Sequence, residues 1–258
     1  STTMTVTNTL TVNGTLRLPN ASTTVYSFTI NGSVSMNGPL LVHRNLTLSA
    51  SGTLSANGYN VDFLDTGDYQ SATLTCTGEF PATISVVKDL NDYNSFTLAS
   101  GCVATTTSLV GTRTMTINGT LNLTQDAFLN QSLTLGAAGI LNGNGFVVNF
   151  IDTSWSQSST LTCTGAFGAT ISVVKDYNND NSFTLASGCT ATSTNLLADN
   201  GITINGTLNL TQDVTSERDF AVGASGTLNA NGYTVSFVDT AWSQSSTLTC
   251  TGAFGATI

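Results

Sequence analysis

Five cysteines are the residues of this chain best suited to covalent chemistry: Cys76, Cys102, Cys163, Cys189 and Cys250. They stand 26 residues apart from Cys76 to Cys102 and from Cys163 to Cys189, and 61 apart from Cys102 to Cys163 and from Cys189 to Cys250. Zinc would need ligand clusters such as CxxC, but none occurs, and His43 is the only histidine. No metal and no cofactor are therefore expected, and disulfide formation is the chemistry left to these thiols. Acid and base catalysis on a sugar would need two carboxylates flanking one bond. The recurring acids are Asp65, Asp152 and Asp239 in "FLDT", "FIDT" and "FVDT", Asp89 and Asp176 in "VVKD", and Asp126 and Asp213 in "LTQD". Each returns only once every 87 residues, and no serine, histidine and aspartate order or phosphate loop accompanies them. The chain is not expected to be an enzyme. Asp65, Asp152 and Asp239 read as acceptors of backbone hydrogen bonds at turns. Lys88 and Lys175 read as loop residues, and His43 and Arg44, confined to the first copy, as surface residues.

The spacing of these residues comes from a repeat that runs through the whole chain. "LTLSASGTLSANGYNVDF" at Leu46 returns as "LTLGAAGILNGNGFVVNF" at Leu133 and "FAVGASGTLNANGYTVSF" at Phe220, without a gap. The segments are 1–72, an atypical first repeat and candidate N-terminal cap, then full repeats at 73–159 and 160–246, and the start of another at 247–258. Within a repeat, short alternations of apolar residues with Thr, Ser or Asn are broken at Gly, a period of two that specifies strands. The fold class is all-β.

Two architectures fit 87 residues. One is tandem immunoglobulin-like β-sandwiches, supported by Asn-Gly pairs at Asn31, Asn57, Asn118, Asn144, Asn205 and Asn231, a hairpin sequence. The other is a β-solenoid, or parallel β-helix, with about four coils per repeat, in which Asn-Gly serves as a corner taking positive φ. Thr160 to Ser246 divides into four stretches of about 20 residues that open alike. A sandwich has no reason to repeat itself inside one domain, so the solenoid is the leading expectation.

Stacked coils decide the cysteine pairing. Neighbouring rungs lie ~4.8 Å apart, within the reach of a disulfide, whereas thiols three rungs apart are not. The expected bonds are Cys76–Cys102 and Cys163–Cys189, with the partner of Cys250 outside this chain, in continuing polypeptide or another subunit. Disulfides imply an oxidising, extracellular or cell-surface setting. Sequons agree at Asn13, Asn31, Asn118, Asn122, Asn205 and Asn209, with further ones at Asn20, Asn45 and Asn130. Trp155 and Trp242 share one register and read as sugar-stacking residues, as a subunit contact, or as side chains folded over their own coil.

Charge narrows the partners. A net charge of −9 with six scattered basic residues leaves no patch for phosphates, so nucleic acid is not expected. No apolar run approaches the ~20 residues that span a bilayer. "ASGTLNANGYTVSF" and "ITINGTLNLTQD" resemble the Gly, Asn and Thr-rich coils of secreted β-solenoid surface proteins: autotransporter passengers, filamentous-haemagglutinin-like adhesins, and repeat proteins of microbial sheaths and surface filaments. The resemblance covers nearly the whole chain and implies a structural shaft of an extracellular filament or sheath that assembles with copies of itself. It also implies, as a second function, an adhesin that holds surface glycans, and more remotely a polysaccharide-degrading β-helix enzyme. The in-register cysteines depart from bacterial passengers, which are cysteine-poor.

Overall fold

The computed structural model describes residues 3–64, 71–87, 95–111, 114–151, 158–174, 182–197, 201–216, 218–237 and 247–258. Every strand pairing among them is parallel, and successive pairings link the chain from Met4–Val12 to Ala253–Thr257. This is a β-solenoid of about ten turns, and the tandem-sandwich alternative is excluded, because face-packed sandwiches are built from antiparallel hairpins. The repeats are segments of one stack: the boundaries after residues 72 and 159 fall inside the strands Ala72–Thr75 and Ser159–Cys163.

One coil shows how the sequence bends. The strand Met115–Ile117 lies on a first face, Thr120–Leu123 on a second and Ala127–Leu129 on a third, and the chain re-enters the first face at Leu133–Leu135. Met115 pairs there with Leu133, 18 residues on. Coil length varies around that value, since Leu161 pairs with Leu185, Leu185 with Ile204, Ile204 with Val222 and Val222 with Cys250. Those four steps of 24, 19, 18 and 28 residues lead from Leu161 to Cys250, two residues past Leu248, the counterpart of Leu161 one repeat on, so a repeat holds four coils and the register slips by two residues within it. In the long coils the described third-face strands end at Leu64, Val87, Ile151 and Val174.

Alternation of side chains across a strand sends apolar residues into the tube and polar ones outward. Phe96, Leu98, Met115, Ile117, Leu133 and Leu135 are all buried, one above another in the first face. Phe63 and Phe96 meet with ring centroids 5.1 Å apart, and Phe150 and Phe183 repeat the contact 87 residues later at 5.1 Å. Each such side chain contributes roughly 1.5 to 3 kcal/mol through burial. A coil of about 20 residues has no core of its own, so stability comes from stacking.

The Asn-Gly pairs perform two different tasks, which corrects the expectation that each is a corner with positive φ. At Asn57, Asn144 and Asn231 φ is 52° to 54°, and the following glycines are also left-handed. At Asn31, Asn118 and Asn205 neither residue is. There the glycine is required by proximity: a Cβ on Gly119 would stand 2.2 Å from the Cys102 carbonyl oxygen, and one on Gly206 2.4 Å from that of Cys189. The second use of Asn-Gly lets one rung's corner lie directly on the rung below.

Candidate functional site

The expected disulfides are both present. Cys76 bonds to Cys102 and Cys163 to Cys189, with Cα atoms 4.8 and 4.9 Å apart, the spacing of adjacent rungs. All four sulfur-bearing residues are buried. Cys250, in the strand Leu248–Cys250, is an exposed free thiol at the register held by Cys163 one repeat earlier and by Cys76 two repeats earlier. Among the described residues no three histidine, cysteine or carboxylate side chains come together as a metal site, and no helix is long and apolar enough to cross a membrane.

Two of the recurring acids can be placed, and both bond to backbone. Oδ1 of Asp126 accepts the Val147 N–H at 2.8 Å, and Oδ1 of Asp213 accepts the Thr234 N–H at 2.8 Å, in each case from the next coil. Asp62, half-buried between the register partners Leu41 and Ser85, has its carboxyl pushed above the ordinary carboxylate range by loss of hydration. His43 Nδ1 lies 3.4 Å from the Leu64 carbonyl oxygen, and the Arg44 guanidinium sits 5.0 Å above the Tyr26 ring. A shallow groove bounded by Phe146, Phe167, Gly168 and Thr192 carries no carboxylate, histidine or thiol. Asp65, Asp89, Asp152, Asp176, Asp239, Lys88, Lys175, Trp155 and Trp242 lie outside the described residues.

The sequon asparagines separate by location. Asn31 Nδ2 donates to Asn13 Oδ1 at 2.9 Å, linking two rungs at an exposed corner. Asn118 and Asn205 lean over the next rung, where a Cβ on Gly136 or Gly223 would meet their Oδ1 atoms at 2.1 Å. On the second face Asn142 Nδ2 donates to Asn122 Oδ1 at 2.8 Å, and Asn229 Nδ2 to Asn209 Oδ1 at 2.9 Å. These are amide ladders, in which each side chain is held by the rung above. Asn130 is buried, and Asn20 and Asn45 are exposed.

No protein-family model, curated protein or solved structure matches this chain. Its function has to be read from its own surface.

The most regular feature of that surface is a column the sequence reading missed. On the first face every described rung but one is an apolar–Thr–apolar triplet, and register pairing sets the central residues one upon another: Thr11, Thr29 and Thr47 in the lowest rungs, Thr97, Thr116 and Thr134 in the middle, and Thr184 and Thr203 above. Ala221 takes the place once. At the long coils the strand bears two outward threonines, Thr73 with Thr75 and Thr160 with Thr162, and the column steps sideways by two residues. Two residues before the central threonine runs a second hydroxyl column of Ser71, Ser95, Thr114, Ser132 and Thr160. Ser95 Oγ donates to Ser71 Oγ at 2.8 Å, and the Thr160 N–H donates to Ser132 Oγ at 3.2 Å. The triplets "FTI", "LTL", "FTL" and "MTI" are visible in the sequence, but they coincide only when it is read at the coil period of 18 to 28 residues rather than at 87.

Proposed function

We propose that this chain is a structural shaft of an extracellular fibre or sheath, made to be long and stiff. The stacking register supports the reading most strongly. Each rung spends its backbone donors and acceptors on the rungs above and below, and the same 87-residue unit is added in phase each time. Such a fold lengthens by duplication with little new to specify, since every added coil meets the same neighbour. The two disulfides, each crossing one rung, are compatible with an oxidising extracellular environment and hold adjacent coils against shear.

The proposed partner is a further copy of this chain, because parallel rungs in one register present the same backbone pattern to any coil stacked on them. Negative-stain electron microscopy of the purified protein tests the proposal across a concentration series under mild oxidation. Rods that lengthen with concentration, joined through Cys250, support it. Uniform short particles at all concentrations contradict it.

A further inference from the structure

The hydroxyl face has properties that a shaft alone does not need. We infer that it binds the ordered water of an ice surface.

Three features of the face lead there. First, its hydroxyls form a two-dimensional grid. Rungs repeat at ~4.8 Å along the axis, and outward residues two apart on a strand lie roughly 6.7 Å apart across it. Both distances are close to oxygen repeats of hexagonal ice. In the middle rungs each central threonine has a hydroxyl residue two places earlier, just before its strand: Ser95 with Thr97, Thr114 with Thr116, and Ser132 with Thr134. Threonine is stiff at χ1, and Thr97, Thr116 and Thr134 are each held in a short strand bonded on both sides, so their hydroxyl and methyl are fixed before any ligand arrives.

Second, the central hydroxyls are available. Among the described residues those of Thr97, Thr116, Thr134 and Thr184 make no side-chain hydrogen bond within the chain, and they are not sealed in the core. Their natural partner is a first layer of water, which the grid would hold in the arrangement of a crystal plane.

Third, charge selects a neutral partner. The chain carries a net charge of −9, yet among the described residues of these columns the only charged side chain is Asp219, at the upper end. Aromatic rings, the usual platform for a sugar chain, are absent from the same described columns. A groove lined by Gly201, Thr203, Asp219, Ala221, Thr247 and Thr249 opens at the upper end of the face, away from the middle rungs that carry Thr97, Thr116 and Thr134. A neutral, extended, periodic ligand meets all these conditions, and ice does so without stacking rings. The inference does not depend on whether the chain polymerises.

The test uses the purified 258-residue chain in slowly grown ice, measuring the protein carried into the solid and the gap between freezing and melting temperatures. The unaltered chain is expected to be enriched in the ice and to open that gap. Thr116→Tyr, which places a bulky ring at the centre of the grid, should lose most of both activities, whereas Thr207→Tyr on the second face should keep them at an equal unfolding midpoint. Thr97→Ala/Thr116→Ala/Thr134→Ala is the fold-safe companion, because Ala221 already occupies this column, and it should also lose activity. Exclusion of the unaltered chain from ice overturns the inference. So does equal damage from Thr116→Tyr and Thr207→Tyr, or retention on crystalline cellulose or chitin with none in ice.

Discussion

Replacing Gly119 and Gly145 by alanine separates rung stacking from turn geometry. Gly119 has no left-handed φ, but a Cβ there would stand 2.2 Å from the Cys102 carbonyl oxygen and 2.6 Å from that of Ala99, both backbone atoms of the preceding coil. Relief requires the corner to lift by about 1 Å, since ordinary Cβ contacts begin above 3.0 Å. The lift strains two inter-rung bonds, Asn118 N–H to Leu98 O at 2.9 Å and Ile140 N–H to Gly119 O at 2.8 Å. Overpacking at about 2 kcal/mol, with about 1 kcal/mol for each bond, gives a loss of about 4 kcal/mol. Gly145 has φ of 90° and nothing within 4 Å of a new Cβ, so Gly145→Ala costs only the left-handed penalty, about 1 kcal/mol. Thermal unfolding followed by circular dichroism should show Gly119→Ala lowered by about 10 °C and Gly145→Ala by about 3 °C. Equal shifts, or the reverse order, would refute the reasoning that Asn118-Gly119 is a stacking corner.

Three further outcomes follow from the packing. Alkylation of the native protein should label only Cys250, and reduction should expose four more thiols while lowering stability by roughly 3 kcal/mol per bond on the chain-entropy account; prompt labelling of Cys163 or Cys189 without reductant would contradict their burial. Phe150→Ala and Phe183→Ala should each cost about 3 to 5 kcal/mol, and the double variant should fall short of the sum by about 1 kcal/mol, read from denaturant midpoints. The raised pKa of Asp62 means that the folded state disfavours its charged form, so stability falls as pH rises through the unfolded value of about 4 and stays lowered above the folded value. Asp62→Asn should therefore raise the unfolding midpoint at neutral pH, and the gain should vanish below pH of about 4; a gain that persists in acid would assign it to packing instead.

The solenoid and its staples were legible because both rest on spacing. A 26-residue separation of Cys76 and Cys102 is one coil, and rung spacing admits a disulfide at one coil and forbids it at three. The roles of Asn-Gly were not legible. Asn57-Gly58 and Asn31-Gly32 are identical as dipeptides, yet the first bends the chain through left-handed φ and the second clears room for a carbonyl one coil below, a contact set by register. The threonine column escaped for a related reason. The 87-residue period is what duplication left in the sequence, whereas side chains meet at coil steps of unequal length, and Thr116 and Thr134 become neighbours only once those steps are known. The cross-rung bonds of Asn122 and Asn209, whose Oδ1 atoms accept from Asn142 and Asn229, were likewise invisible until register was known.

The central claim is that successive coils stack in parallel along one axis. Spin labels at Thr29, Thr116 and Thr203, which share the threonine face at intervals of four rungs, test it most directly through pulsed dipolar distances. Stacking predicts about 20 Å for each adjacent pair and about 38 Å for the outer pair, with narrow distributions. Separately folded repeats of this size would place adjacent labels about 30 Å or more apart with broad distributions, and that result would contradict the account.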